Sequence, residues 1–154
     1  MYNAVGIDVS KGKSTIAVLQ PGGVIVRKPF DVFHTSQSLK ELSNYLASLE
    51  GDTRIVMECT GRYHESMANS LSNAGFFVTV VNPHLIKNFG NNTLRKVKSD
   101  PADAKKIARY TLDNWAAMWF RCWPCCAPRE PMPAWTLHPK LRIAFPRADA
   151  GKCR

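Results

Sequence analysis

The order of strand-like and helix-like patterns in the first 115 residues most constrains the fold of this chain. Apolar runs of strand type occupy residues 4–9, 14–19 and 24–26, and short turn sequences separate them. Two further strand-like runs, 53–57 and 76–81, alternate with segments in which apolar residues recur at helical spacing. The first three runs predict an antiparallel meander, and the alternation that follows predicts strands parallel to the first.

Helix signals lie between and after the later strands. Ser38 and Glu41 fit a capping box, in which each side chain satisfies a backbone donor at the start of a helix. A second helix is predicted to stop at Gly75, a short helical piece to begin at His84, and a last helix to run to about Trp115. The order β-β-β-α-β-α-β-α is typical of the ribonuclease-H-like α/β fold. We therefore predict a mixed five-stranded sheet with flanking helices.

A change of composition near residue 115 separates two kinds of sequence. Residues 116–154 hold six of the ten prolines, four of the five cysteines and three of the four tryptophans, and they show no clean periodicity. They carry 7 Lys+Arg against 2 Asp+Glu, whereas residues 1–115 carry 14 against 10. We therefore expect one α/β domain at 1–115 and an irregular Pro/Cys/Trp/Arg-rich tail at 116–154, which we hypothesise to be translated out of frame.

Composition and length exclude several classes of protein. With 154 residues, 45% hydrophobic residues and a net charge of +9, the chain is neither disordered nor collagenous nor a coiled coil. Its apolar runs, such as 76–81, are far shorter than the about 20 residues of a membrane span, and no secretory leader is recognisable. We expect a soluble, intracellular protein with reduced cysteines and no membrane partner.

Four acidic residues stand at positions where they could share a metal ion. Asp8 lies inside the first strand, Glu58 ends the fourth, and Asp100 and Asp103 share the first turn of the last helix. If the strands are parallel, their carboxyl ends lie side by side and the helix could bring its first turn over them. Converging carboxylates favour hard divalent cations such as Mg²⁺ or Mn²⁺. The alternatives are solvated strand ends and an ordinary helix start.

Basic residues accompany these acids and could hold phosphate groups. Metal ions about 3.5–4 Å apart support in-line phosphodiester cleavage, so phosphates beside the acids would fit such a site. The alternative is a solvated basic face. The predicted nucleic-acid-binding residues are Lys11, Arg62, Arg95, Lys96, Lys98, Lys105, Lys106 and Arg109.

Three motifs together resemble one family. GIDVSK at 6–11, MECTGRYH at 57–64 and KSDPADA at 98–104 are similar, in order and spacing, to the N-terminal domain of the DEDD transposases of IS110 insertion sequences. The resemblance covers about residues 1–115. It implies a Holliday-resolvase-like domain of ribonuclease H fold that acts in DNA transposition. It also implies that Asp8, Glu58, Asp100 and Asp103 are the catalytic, metal-binding tetrad.

The same resemblance implies partners. The sequence also departs from the family pattern after residue 115. DNA, a structured guide RNA and further copies of the chain are the implied partners. Family members continue into a long helical segment and a C-terminal domain with a nucleophilic serine, neither of which is recognisable after residue 115. We therefore expect a truncated, incomplete or inactive recombinase.

Other functions remain open from the sequence. The chain could be a catalytically dead nucleic-acid-binding fragment, or an actin-like ATPase or sugar kinase domain, although its first turn fits their phosphate loops only loosely. His64 and Tyr63 are expected to be structural. A zinc site is less expected, because only one CxxC pair is present. Its candidate ligands are Cys122, Cys125, Cys126, His138 and Cys153.

Overall fold

Residues 1–59, 61–89, 99–118 and 122–123 are described by a computed structural model of the chain, with backbone only at 116–118 and 122–123. The strands are β1 (Tyr2–Val9), β2 (Lys13–Gln20), β3 (Val24–Phe33), β4 (Asp52–Glu58), β5 (Phe77–Val81) and β6 (Cys122–Trp123). The helices are α1 (Ser36–Ala47), α2 (Glu65–Asn73), α3 (Pro83–Asn88) and α4 (Asp100–Met118). None of the helices within these ranges is long and apolar enough to cross a membrane.

The strands form one mixed sheet in the order β3-β2-β1-β4-β5-β6. The pairs β1–β2 and β2–β3 are antiparallel, whereas β1–β4 and β4–β5 are parallel. This arrangement confirms the predicted meander followed by parallel strands. The two-residue β6 pairs antiparallel with β5 and is added to the five predicted strands.

Several element boundaries differ from the prediction. The predicted capping box is wrong, because α1 begins at Ser36 and the hydroxyl of Thr35 caps it by accepting a hydrogen bond from the Ser38 backbone N–H. Ser38 therefore already lies in the first turn. Glu41 instead accepts a hydrogen bond of 2.7 Å from the Gln37 side chain. Helix α4 continues to Met118, beyond the predicted end near residue 115.

The two faces of the sheet are covered by different helices. One face of β1 packs against α1 and α2, because alternate residues of the strand are apolar and the two helices present leucines and a methionine to them. This cluster forms the main core. Its central residues are Val5, Ile7, Val9, Leu39, Leu42, Leu46, Met67 and Leu71.

Helix α4 covers the other face and lies very close to β1. A Cβ atom on Gly6 would collide with the backbone of Ala104 and Ala108, so only glycine permits this approach. Ala17 and Leu19 of β2 pack beside the same two alanines. Because Asp100 lies near Lys13, which begins β2, the N-terminus of α4 is next to the carboxyl end of β1.

The close contact at Gly6 predicts that a larger residue there destabilises the protein. Gly6→Ala should destabilise the protein by about 1–3 kcal/mol or more, because the added methyl group meets backbone that cannot move aside cheaply. Urea unfolding followed by circular dichroism measures this change. Gly12→Ala is the control, since an added Cβ there meets nothing and only its positive φ of 79° costs about 1–2 kcal/mol. An equal or smaller loss for Gly6→Ala would contradict the packing argument.

Candidate metal and nucleic-acid site

Asp8 lies in a row of polar residues that crosses three strands near the carboxyl end of β1. It is opposite Thr15 of β2, and Thr15 is opposite Asp31 of β3. Cross-strand partners project from the same face of a sheet, and Asp8 is two positions after Gly6, so the row is on the face that α4 covers. Asp8 is half-buried. The strand therefore places Asp8 near its carboxyl end, on the face that α4 covers.

Glu58 ends the neighbouring strand and has a carboxylate of α4 close to it. Ile7 is in register with Met57, so Asp8 and Glu58, the residues that follow, end adjacent parallel strands. The pKa of Glu58 is raised, first by burial and then by the negative charge of Asp103. The ammonium groups of Lys87 and Lys106 oppose this rise in the pKa. Glu58 and Asp103 are thus brought together with two lysines beside them.

Asp100, the fourth predicted ligand, is associated with a lysine. Its carboxylate lies 4.0 Å from the Nζ of Lys13. Lys13 also forms an ion pair of 2.8 Å with Asp31, whose other oxygen accepts a hydrogen bond of 2.6 Å from Thr15. The hydrogen bond from Lys13, followed by that from Thr15, lowers the pKa of Asp31. The side chain of Asp100 is half-exposed.

The four predicted ligands are therefore divided between two sides of the helix N-terminus. Asp103 lies toward Glu58, whereas Asp100 lies toward Lys13. Among the residues with described side chains, no three Asp, Glu, His or Cys side chains are close enough together to hold a metal ion. The tetrad accordingly remains a prediction, and its full assembly requires side-chain movement.

The donor chemistry nevertheless fits a hard divalent cation. All four candidates are carboxylates, which supply the oxygen ligands that Mg²⁺ and Mn²⁺ prefer. Glu58 and Asp103 are both half-buried, and burial followed by the charge of Asp103 raises the pKa of Glu58. A cation between the two carboxylates would remove this repulsion. We conclude that the residues present are suited to such an ion.

The predicted basic residues occupy different surroundings. Lys106 donates a hydrogen bond of 3.2 Å to the carbonyl of Lys87 and faces Glu58. Arg62 is an exposed partner of Glu65 at 3.0 Å. Arg109 lies against Gly23 and 3.7 Å from Asp113. Lys11 and Lys105 are exposed, and Arg95, Lys96 and Lys98 lie outside the described residues.

Three charged residues near the acids were not predicted to belong to the site. Asp31 was missed because the sequence pattern marked only the start of the third strand, at residues 24–26, whereas β3 continues to Phe33. Lys13 was assigned only to a turn, although it begins β2. Lys87 lies at the end of the short helix α3, and a cation in the last helical turn was the only signal available for it.

The remaining candidate residues are His64, Tyr63 and the possible zinc ligands. His64 is buried, consistent with the expected structural role, whereas 46% of the surface of Tyr63 is exposed. The predicted zinc ligands lie outside the described residues, or, for Cys122, have an undescribed side chain.

Comparison with known proteins identifies the family. The family model of DEDD transposases of the IS110 type, described as Transposase, matches residues 5–118. The chain belongs to this family. Its function is therefore that of an IS110-type DNA transposase, as the three motifs predicted, and membership implies use of a divalent metal. The match decides against an actin-like ATPase or a sugar kinase. No curated protein matches the chain.

Solved structures are similar to the IS110-type domain in fold. RuvC of T. thermophilus, in complex with a Holliday junction substrate, has a TM-score of 0.54 at 12% identity, covering 76% of this chain and 96% of that chain. A further Thermus thermophilus RuvC structure has a TM-score of 0.48 at 14% identity, covering 78% and 98%. The first likeness confirms the predicted resolvase-like, ribonuclease-H-like fold.

The raised pKa of Glu58 leads to a prediction about Asp103. Asp103→Asn should lower the pKa of Glu58 toward its ordinary value without fully restoring it, because burial is the larger cause. Carboxyl ¹³C NMR titration measures the shift. Asp113→Asn on the same helix is the control and should leave the pKa of Glu58 unchanged.

The raised pKa of Glu58 also makes the stability of the folded protein depend on pH. The folded-state pKa of Glu58 is above its unfolded value, so ionisation of Glu58 costs stability as the pH rises between the two values. Asp103→Asn should reduce this cost. An identical pKa of Glu58 in both proteins would show that the two carboxylates do not interact.

Proposed function

We propose that this domain provides a divalent-metal-dependent phosphodiester cleavage and strand-transfer site for DNA transposition. Asp8, Glu58, Asp100 and Asp103 are the proposed ligands for Mg²⁺ or Mn²⁺. The observation that carries the proposal is that half-buried Glu58, at the carboxyl end of a parallel strand, has half-buried Asp103 of the first turn of α4 close to it. Two like charges this close raise the free energy of the folded protein unless a cation neutralises them. The pair is therefore a candidate functional site.

On this proposal, the four carboxylates have different tasks. Asp8 and Glu58 are fixed on adjacent strands, which gives them a rigid separation. Asp100 and Asp103 belong to the first turn of α4 and can reach the strand ends from above the sheet. When bound, the metal ions would supply Lewis-acid stabilisation of a phosphate and activation of an attacking oxygen.

Lysines next to these carboxylates support a polyanionic substrate. Lys87 and Lys106 are within electrostatic reach of Glu58 and could orient a phosphate beside the pair. Lys11 and Lys105 are exposed where further backbone phosphates could bind. The RuvC of similar fold is in complex with a Holliday junction substrate, which supports a DNA partner here.

The finer assignments follow from the family resemblance. We propose that a structured guide RNA and further copies of the chain take part, and that the protein acts on DNA in the bacterial cytoplasm, where it associates with the nucleoid. The remaining predicted residues, Arg62, Arg95, Lys96, Lys98 and Arg109, are proposed to contact nucleic acid.

A catalytically dead nucleic-acid-binding domain is the second candidate function. One observation favours it. Asp100 lies beside Lys13 rather than beside Glu58, so the described acids do not form a complete ligand group. On this alternative, the basic residues would bind DNA or RNA without metal. Metal affinity therefore distinguishes the two candidates.

Calorimetric titration with Mn²⁺ tests the metal site. The wild-type chain should bind Mn²⁺, and Asp8→Asn or Glu58→Gln should reduce the affinity at least about tenfold, because each removes a charged oxygen ligand. Asp52→Asn is the control, since Asp52 is exposed at the opposite end of the Glu58 strand. Thermal unfolding of each variant verifies folding. Absence of saturable Mn²⁺ binding to the folded wild type would favour the metal-independent binder.

Salt-dependent binding tests the nucleic-acid surface. For a short DNA duplex, Lys105→Gln should weaken binding and reduce the slope of log K against log salt by about 0.9, the contribution of one phosphate contact. Lys40→Gln is the control, because Lys40 is exposed on α1, on the other side of the sheet. Fluorescence anisotropy at several salt concentrations measures both slopes. Equal slopes for the two variants would contradict a binding surface on α4.

A further inference from the structure

Lys13 and Asp31 form a charged pair at the edge of the proposed metal site. The Lys13 ammonium lies 2.8 Å from Asp31 and 4.0 Å from Asp100. Asp31 is held in place by the hydrogen bond of 2.6 Å from buried Thr15. Neither Lys13 nor Asp31 belongs to the predicted tetrad, yet the pair joins β2 and β3 to the first turn of α4.

The two distances give Lys13 a primary and a secondary acceptor. An ammonium group has three N–H donors, so a bond to Asp31 leaves donors that can reach a second carboxylate. Asp31 holds Lys13 at hydrogen-bond distance, whereas Asp100 lies at the outer limit of an ion pair. A small rotation of the lysine side chain would therefore exchange one partner for the other.

The position of Lys13 affects the charge that a metal ion would encounter. A divalent ion bound by Asp100 would experience repulsion from an ammonium group beside the same carboxylate. Lys13 also partly neutralises Asp100 and lowers its attraction for a second cation. Asp31 counteracts this effect, because it retains the ammonium on the β3 side of the site.

We propose that Lys13 is a positioning residue that serves as an internal counter-cation of Asp100 and competes with the divalent ion for it. Asp31 is the acceptor that holds Lys13 when Asp100 turns to the metal. This inference rests on the proposed metal-binding function. On this inference, Asp100 has Lys13 beside it and could exchange the lysine for a divalent ion.

Mn²⁺ affinity of the full chain, measured by calorimetry at low salt, tests the competition. Lys13→Met should tighten Mn²⁺ binding by up to about fivefold, the factor that corresponds to two unit charges about 4 Å apart in water. Lys13→Arg keeps the charge and should retain the wild-type affinity. Lys40→Met is the control for loss of a lysine charge on the opposite face of the sheet. The gain should shrink as salt increases.

A double-mutant cycle tests the role of Asp31. Asp31→Asn should weaken Mn²⁺ binding, both because a nearby negative charge is lost and because Lys13 is released toward Asp100. In the background of Lys13→Met only the first cause remains, so the same substitution should have a smaller effect. A non-zero coupling between Lys13 and Asp31 is therefore expected.

The possible failures are distinguishable. If the wild type binds Mn²⁺ but Lys13→Met leaves the affinity unchanged or weakens it, the competition is overturned and the metal site stands. If Asp31→Asn has the same effect with and without Lys13, the role of Asp31 is overturned. If neither the folded wild type nor folded Lys13→Met binds Mn²⁺, the proposed function fails and this inference fails with it.

Discussion

The close approach of α4 to β1 at Gly6 determines the geometry of the whole site. The absence of a side chain at Gly6 allows the backbone at Ala104 and Ala108 to lie directly on the strand. This contact fixes the position and rotation of the helix, so its first turn lies near the carboxyl ends of β1 and β4. Asp103 is close to Glu58, and Asp100 is close to Lys13, because of this packing.

The charges at this edge of the sheet form two local groups. On the β4 side, Glu58 and Asp103 are opposed by Lys87 and Lys106. On the β2 side, Asp31 and Asp100 share the single ammonium of Lys13. Each group combines acids with the protein's own cations, so the negative charge is partly balanced before any ligand arrives.

Much of this architecture follows from the sequence, because period and turn signals are local. The alternation of Val5, Ile7 and Val9 and the leucines of α1 identify a strand and a helix that must pack together. The third strand was underestimated because most of its residues are exposed, which removes the apolar alternation that marks a strand.

The arrangement of the candidate site could be predicted from the sequence less completely than the fold. The motifs predicted Asp8, Glu58, Asp100 and Asp103 as one group, but the division between Glu58–Asp103 and Asp100–Lys13 depends on the rotation of α4, which no local pattern specifies. Asp31 reaches the site only through the register of β3 against β2. The register shifts between Ile16 and Leu19, and no short stretch of sequence specifies such an irregularity, so Asp31 could not be assigned.

The placement of two acids on one helical turn has a consequence for movement. Asp100 and Asp103 are three residues apart on a helix whose rotation is set by its contact with Gly6. Turning the helix to carry Asp100 toward Glu58 would carry Asp103 away, and would also force Ala108 against the strand. The backbone therefore cannot close the site as a rigid unit. Any change between an open and a closed arrangement must come from the χ angles of the carboxylates, which makes it a fast, side-chain process.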